Sequence, residues 1–168
     1  MLTHTRSAAL AALLLCLGTA RVVLASDAAL MERGRYLASI MDCSGCHTTG
    51  ALRGQPDAAR HLAGSDVGFE IPGLGIFYPP NLTSDTETGL GAWTPEQIIT
   101  AVRTGERPDG RQLVPVMPWP SYSALNDADA AALAAFIKSL PPVRFQVPDP
   151  VGAGQPAPLP YLSVVVPE

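Results

Sequence analysis

The residues with the clearest chemical potential are two thiols and an imidazole within five consecutive positions. Cys43 and Cys46 are separated by two residues, and His47 follows the second cysteine directly. Two thiols at this spacing on a turn can each add to one vinyl group of a porphyrin, and the adjacent imidazole can then ligate the iron beneath the ring. The motif therefore predicts one covalently attached c-type haem, with His47 as an iron ligand.

Three other interpretations of the cysteine pair stay open at this point. A redox disulfide would be expected inside a βαβ pattern, which the flanking residues do not have. A structural zinc site would need His47 and a further ligand such as His61, and such sites rarely use an adjacent Cys-His pair. The pair could also have no chemical role. Haem is favoured because the predicted export, the preceding helix and a candidate sixth ligand all agree with it.

Met117 is the predicted sixth ligand of the iron. Prolines on both sides stiffen its loop, which helps to hold a weak thioether ligand. Met41 lies too close to the attachment motif to reach over the ring, and Met31 is better interpreted as a core residue. The alternatives are a packing role for Met117 and, less favoured, ligation by His61. A His/Met pair leaves no open coordination position, which suits electron transfer.

Residues 1–25 have the pattern of a secretory signal peptide. An apolar run from Ala8 to Gly18 follows a weakly basic start, and small residues allow cleavage after Ala25 or after Ala20. A retained membrane anchor is the alternative interpretation. Export predicts a periplasmic location, with membrane association through a partner or a retained signal as a further alternative.

Removal of the signal changes both the charge and the cysteine count. It takes away two of the 11 basic residues and none of the 15 acidic ones, so the net charge becomes 9 − 15 = −6. An acidic protein does not suit nucleic-acid binding, which needs a basic surface. Two of the three cysteines remain, and one closely spaced pair cannot form a disulfide scaffold.

Three helices are predicted around a long irregular stretch. The first, from residue 27 to about 41, ends at the cysteine motif. Residues 48–91 are rich in Gly and Pro and are predicted to be loops that pack on the prosthetic group. Helices follow at 94–105, with a capping box at its start, and at 126–140, where two prolines end it. We therefore predict one monohaem domain at 27–142 and a Pro-rich extended tail at 143–168.

Several motifs in this order resemble one repeat of the cytochrome c subunit of bacterial membrane-bound alcohol and gluconate dehydrogenases. The resemblance covers about residues 32–142, and those subunits join three such units whereas this chain has one. The matching motifs are Gly34-Arg35-Tyr36-Leu37-Ala38, Asp42-Cys43-Ser44-Gly45-Cys46-His47-Thr48, Pro80-Asn81-Leu82-Thr83-Ser84-Asp85, Gly89-Leu90-Gly91-Ala92-Trp93-Thr94 and Met117-Pro118-Trp119.

The resemblance implies an all-α class I cytochrome c fold with long haem-packing loops. Its first and last helices would cross, and Gly34 would let Phe136 or Ile137 approach closely. The residues that carry over as haem ligands are Cys43, Cys46, His47 and Met117.

The haem propionates would need partners, since buried carboxylates require donors or a positive charge. Asn81, Trp93 and Arg103 are the candidates for this cofactor-binding role. Their alternative roles are a turn residue, a core aromatic and a solvated helix arginine.

The resemblance also implies electron transfer with no catalytic residues. The protein would accept electrons from a periplasmic dehydrogenase and pass them to another cytochrome, a quinone or an oxidase. A haem enzyme or gas sensor with a labile sixth ligand is the alternative, although the sequence has no convincing distal His and Arg pair for such chemistry.

Overall fold

The computed structural model describes residues 27–167, and the predicted signal peptide at 1–25 lies outside them. The helices are α1 (27–40), α2 (Cys43–His47), α3 (Pro95–Thr104), α4 (Trp119–Tyr122) and α5 (Asp127–Ser139), with short 3-10 turns at Ala51–Arg53 and Ala58–Arg60. The strands are β1 (Gly68–Ile71), β2 (Gly75–Phe77), β3 (Val151–Gly152) and β4 (Tyr161–Leu162). No helix within 27–167 is long and apolar enough to span a membrane.

Helices α1 and α5 pack together at a very short distance. A Cβ atom added at Gly34 would overlap the carbonyl oxygen of Ala132 and the Cβ of Phe136. The Arg33 guanidinium also donates two hydrogen bonds to the Asp129 carboxylate, at 2.7 and 3.0 Å. Only glycine therefore fits the position of α1 that faces α5 here.

Local sequence accounts for both ends of α3. The Thr94 hydroxyl accepts a hydrogen bond from the Gln97 amide, and the Gln97 side chain accepts one from the Thr94 amide. Gly105 ends the helix in the left-handed region, with φ of 77°. Ile98 on α3 and Leu133 on α5 belong to the main hydrophobic core, which holds the two helices together.

The expectation of an all-α fold is wrong, because the four strands form a mixed sheet in the order β3-β2-β1-β4. Strand β2 pairs antiparallel with β1 and with β3, whereas β4 pairs parallel with β1. The β1–β2 hairpin turns at Gly73, where φ is 78°. Strands β3 and β4 pair with strands more than 70 positions away in the chain, and each strand is too short to show a clear period-2 pattern of its own.

A second, smaller core fastens the C-terminal segment to the sheet. Ile76, Tyr78 and Val147 are buried there, and Val151 and Leu159 pack against them. Because this core and the sheet contain residues from both parts of the chain, the loops at 48–91 pack on the C-terminal segment as well as on the helices.

Candidate haem site

A turn between α1 and α2 sets the direction of the cysteine motif. Helix α1 ends with a hydrogen bond from the Met41 amide to the Leu37 carbonyl, at 2.9 Å. Asp42 then adopts a left-handed conformation, with φ of 53°. The chain turns at this residue, and the two cysteines and the histidine of α2 line one cavity.

This cavity has a volume of about 470 Å³, within the range of sites for small ligands and cofactors. Its lining brings together all four of the residues predicted as haem ligands, which come from α2 and from the loop before α4. The walls around them are mostly apolar. Contributors to these walls include Leu82, Leu90, Ile98, Val102 and Leu133.

His47 is buried and held in one orientation. Its Nδ1 lies 2.8 Å from the carbonyl oxygen of Pro80, which can only accept, so Nδ1 carries the proton and donates. Burial lowers the pKa of His47, and the hydrogen bond to Pro80 opposes this. Nε2 therefore keeps a free lone pair, as an iron ligand requires.

No disulfide joins Cys43 to Cys46. Burial raises the pKa of Cys43 to about 11 and also raises the pKa of Cys46. Burial therefore favours the neutral thiol over the reactive thiolate at both positions.

Zinc binding finds no support in the arrangement of side chains. His61 lines a separate cavity of about 220 Å³, together with Ser44 and Phe136. Among the residues that the structure describes, no group of three or more His, Cys, Asp or Glu side chains could hold a metal ion. The cysteine pair therefore lacks the additional ligands that a tetrahedral zinc site needs.

Met117 lies in a tightly bonded turn before α4 and lines the cavity. Its amide donates to the Val114 carbonyl at 3.0 Å, and its carbonyl accepts from the Trp119 amide at 2.7 Å. The Trp119 indole donates to the Leu113 carbonyl at 3.2 Å. These bonds limit the movement of the loop, as a weak sulfur ligand requires.

The three residues predicted to contact propionates lie in different surroundings. Asn81 and Trp93 line the cavity, whereas Arg103 does not. The Arg103 guanidinium donates instead to Asp127, at 2.7 Å. The buried Asn81 amide nitrogen already donates to the Thr88 hydroxyl and to the Val143 carbonyl, at 3.1 and 2.8 Å.

Arg107 and Arg111 line the cavity and were not predicted as site residues. The Arg107 side chain is only 18% exposed, and its guanidinium lies 5.0 Å from the centre of the Trp93 ring. The Arg107 amide donates to the Arg111 carbonyl at 3.0 Å, across the turn at Pro108-Asp109-Gly110. This Pro-Asp-Gly sequence was the available signal, because it predicts a turn that brings its two flanking arginines together.

Comparison with known proteins identifies the family of the chain. A family model described as cytochrome c matches residues 31–141. The chain belongs to the cytochrome c family. Membership of this family implies covalent haem c, and the cysteine motif that carries it occurs once in the sequence.

Similar curated proteins are much longer than this cytochrome c-family chain. The cytochrome c subunit of alcohol dehydrogenase (quinone) from Gluconobacter oxydans (strain 621H) is 41% identical over 123 residues, which cover 72% of this chain and 24% of that protein. A nicotinate dehydrogenase subunit from Pseudomonas putida is 40% identical over 73% of this chain and 10% of its own length. The fructose dehydrogenase cytochrome subunit from Gluconobacter japonicus is 40% identical, over 64% and 20% respectively.

Proposed function

We propose that the protein transfers electrons one at a time through a single c-type haem. The observation that carries the proposal is the meeting of Cys43, Cys46, His47 and Met117 at one mostly apolar cavity. The cysteines would hold the haem through thioethers, and His47 and Met117 would ligate its iron. When bound, the haem supplies an iron that accepts and releases one electron.

The protein's own residues hold the proposed ligands in fixed positions. The Pro80 carbonyl fixes the His47 ring, and the hydrogen-bonded loop fixes Met117. With these ligands fixed and the walls mostly apolar, little has to rearrange when the charge in the site changes by one unit. Such rigidity suits electron transfer, whereas the alternative of an enzyme or gas sensor needs a labile ligand.

For the propionates we keep Trp93 as a candidate and add Arg107. The Arg107 guanidinium also donates to the Asp109 carboxylate at 3.3 Å, but that carboxylate is exposed to water. A mostly buried arginine beside an apolar cavity can therefore still balance an acidic group there. Asn81 lines the cavity but holds neighbouring chain segments together, and Arg103 does not line the cavity.

The donor is proposed to be a periplasmic dehydrogenase, and the acceptor another cytochrome, a quinone or an oxidase. Support comes from the names of the similar proteins, which include subunits of alcohol, nicotinate and fructose dehydrogenases. Co-purification of the tagged full chain with a dehydrogenase from its own cells tests this part. Reduction of the haem by that enzyme's substrate in the purified complex is the expected result.

Met117→Ala tests the proposed ligand set. The oxidised wild-type protein should show the weak far-red absorption band that marks coordination of sulfur to haem iron, and the variant should lose it while keeping its covalent haem. Met31→Ala is the matched control and should keep the band. Retention of the band in Met117→Ala would contradict ligation by Met117. If the wild-type protein lacks the band and binds carbon monoxide rapidly, the result would favour the alternative function, a haem enzyme or gas sensor.

A further inference from the structure

The haem cavity has a wall that lies beyond the part of the chain matched by the family model. That match ends at residue 141, yet residues 146–150 line the cavity. Val147, within this stretch, is only 8% exposed. Phe69 and Phe77 of the β1–β2 hairpin line the same cavity. The C-terminal segment thus contributes directly to the site.

The start of the segment is fastened to the loop at 81–88. The Val143 carbonyl accepts from the Asn81 side chain at 2.8 Å, and the Phe145 amide donates to the Thr88 hydroxyl at 3.1 Å. The Arg60 guanidinium lies 4.7 Å from the centre of the Phe145 ring. These contacts hold the chain in place just before it reaches the cavity.

The far end of the segment is fastened to the sheet. The Tyr78 hydroxyl donates to the Leu159 carbonyl at 2.7 Å and lies 3.3 Å from the Leu159 amide, from which it accepts. The Gly68 amide donates to the Pro160 carbonyl at 2.9 Å. With β3 paired to β2 and β4 paired to β1, both ends of the cavity-lining stretch are anchored.

Val147 connects the segment to the backbone of His47. A Cβ atom added at Gly64 would overlap a methyl group of Val147, so the two residues are in close contact. The Gly64 amide in turn donates to the His47 carbonyl at 2.8 Å. Val147 therefore covers the chain segment that supports His47.

We propose that residues 143–162, which we name the C-terminal strap, belong to the haem-binding site and close one side of it against water. The inference rests on the proposed haem function. Water stabilises the oxidised haem more than the reduced one, because the oxidised form carries the additional positive charge. A strap that excludes water therefore raises the midpoint potential.

Val147→Ala in the full-length holoprotein tests the proposal. The smaller side chain opens a path for water beside Gly64, so the midpoint potential from a redox titration should fall. Val164→Ala is the matched control, because Val164 follows β4 and is 78% exposed, and it should leave the potential at the wild-type value. An unchanged potential in Val147→Ala, with covalent haem confirmed by the pyridine haemochrome spectrum, would contradict the proposal that the strap shields the haem from water. Absence of covalent haem from the wild-type protein would instead overturn the proposed function itself.

Tyr78→Phe supplies a second measurement that keeps the aromatic ring in the small core. Loss of the hydroxyl removes both bonds to Leu159, and hydrogen exchange at the Gly68 amide should become faster by roughly fivefold or more. The midpoint potential should fall in the same variant. Tyr161→Phe, on a half-exposed strand residue, is the control and should change neither value. Faster exchange in Tyr78→Phe with an unchanged potential would show that the strap is fastened but does not shield the haem.

Discussion

At the scale of single residues, Arg107 matters because it brings positive charge to a mostly apolar cavity. Its side chain is more buried than that of Arg103, with exposed fractions of 18% and 33%. It also lies against the Trp93 ring, which lines the same cavity. Arginine near an aromatic face keeps its charge while losing part of its water, so an anion in the cavity would be held more strongly.

Replacement of Arg107 by Gln should lower the midpoint potential by the equivalent of roughly 1 kcal/mol, because the lost positive charge had disfavoured the oxidised iron. Redox titration of the holoprotein measures the shift. Arg103→Gln removes the same charge from a guanidinium that does not line the cavity, and it should leave the potential almost unchanged. A larger shift in Arg103→Gln than in Arg107→Gln would restore Arg103 as the propionate partner.

The Pro80 carbonyl shows how one backbone group can decide the chemistry of a side chain. By accepting from Nδ1 of His47, it selects the tautomer that leaves Nε2 free. The sequence motif indicates which histidine is the ligand. Its orientation depends on a residue 33 positions further along the chain.

At the scale of elements, the contact between α1 and α5 determines where the cysteine motif lies. Only Met41 and Asp42 separate α1 from α2, so any shift of α1 against α5 would move Cys43 and Cys46. The two helices are too close at Gly34 for any side chain. The atoms that face Gly34 are the backbone of Ala132 and the Cβ of Phe136. These atoms cannot rotate away as the end of a long side chain would.

Gly34→Ala should therefore destabilise the fold, by about 1–3 kcal/mol from overpacking, although alanine favours helix formation. Urea unfolding followed by circular dichroism measures the change in free energy of unfolding. Ser39→Ala, at an exposed position of α1, is the control and should have little effect. An equal free energy of unfolding for Gly34→Ala and the wild type would mean that α1 and α5 can move apart enough to accept a methyl group without loss of stability.

At the scale of the whole molecule, the loops and the C-terminal strap form one connected layer beside the cavity. Asn81 is central to this layer, since it is 1% exposed and bonds to both the Thr88 side chain and the Val143 backbone. Its side-chain oxygen also accepts from the amide and the hydroxyl of Thr83, at 2.9 and 2.7 Å. One buried amide thus joins chain segments that lie about sixty positions apart in the sequence.

Asn81→Ala should lower the free energy of unfolding by about 1–3 kcal/mol, because the partners of the lost amide stay buried without replacement. Urea unfolding measures this loss, and hydrogen exchange at the Phe145 amide should become faster in the same variant. Gln155→Ala, an exposed change in the strap, serves as the reference for a residue outside this network. A variant as stable as the Gln155→Ala protein would show that Asn81 does not hold the layer together.

The cysteine motif, the helix periodicity and the capping signals were sufficient to predict the helices that the structure contains at 27–40, Pro95–Thr104 and Asp127–Ser139. These are local signals: helix hydrogen bonds join residues four apart, and haem attachment needs only five consecutive residues. The same sequence predicted cytochrome c-family membership, which the comparison confirms.

The tertiary structure alone decided the mixed sheet, the place of Arg107 at the cavity and the contribution of residues 146–150 to its wall. Each of these depends on contacts between distant parts of the chain, which leave no periodic pattern in either part. Strands of two to four residues are stable here because Tyr78, Asn81 and the small core hold their partners in place. Haem attachment could be predicted because its motif is a run of consecutive residues. The walls of the cavity could not, because they form only when distant parts of the chain come together in the fold.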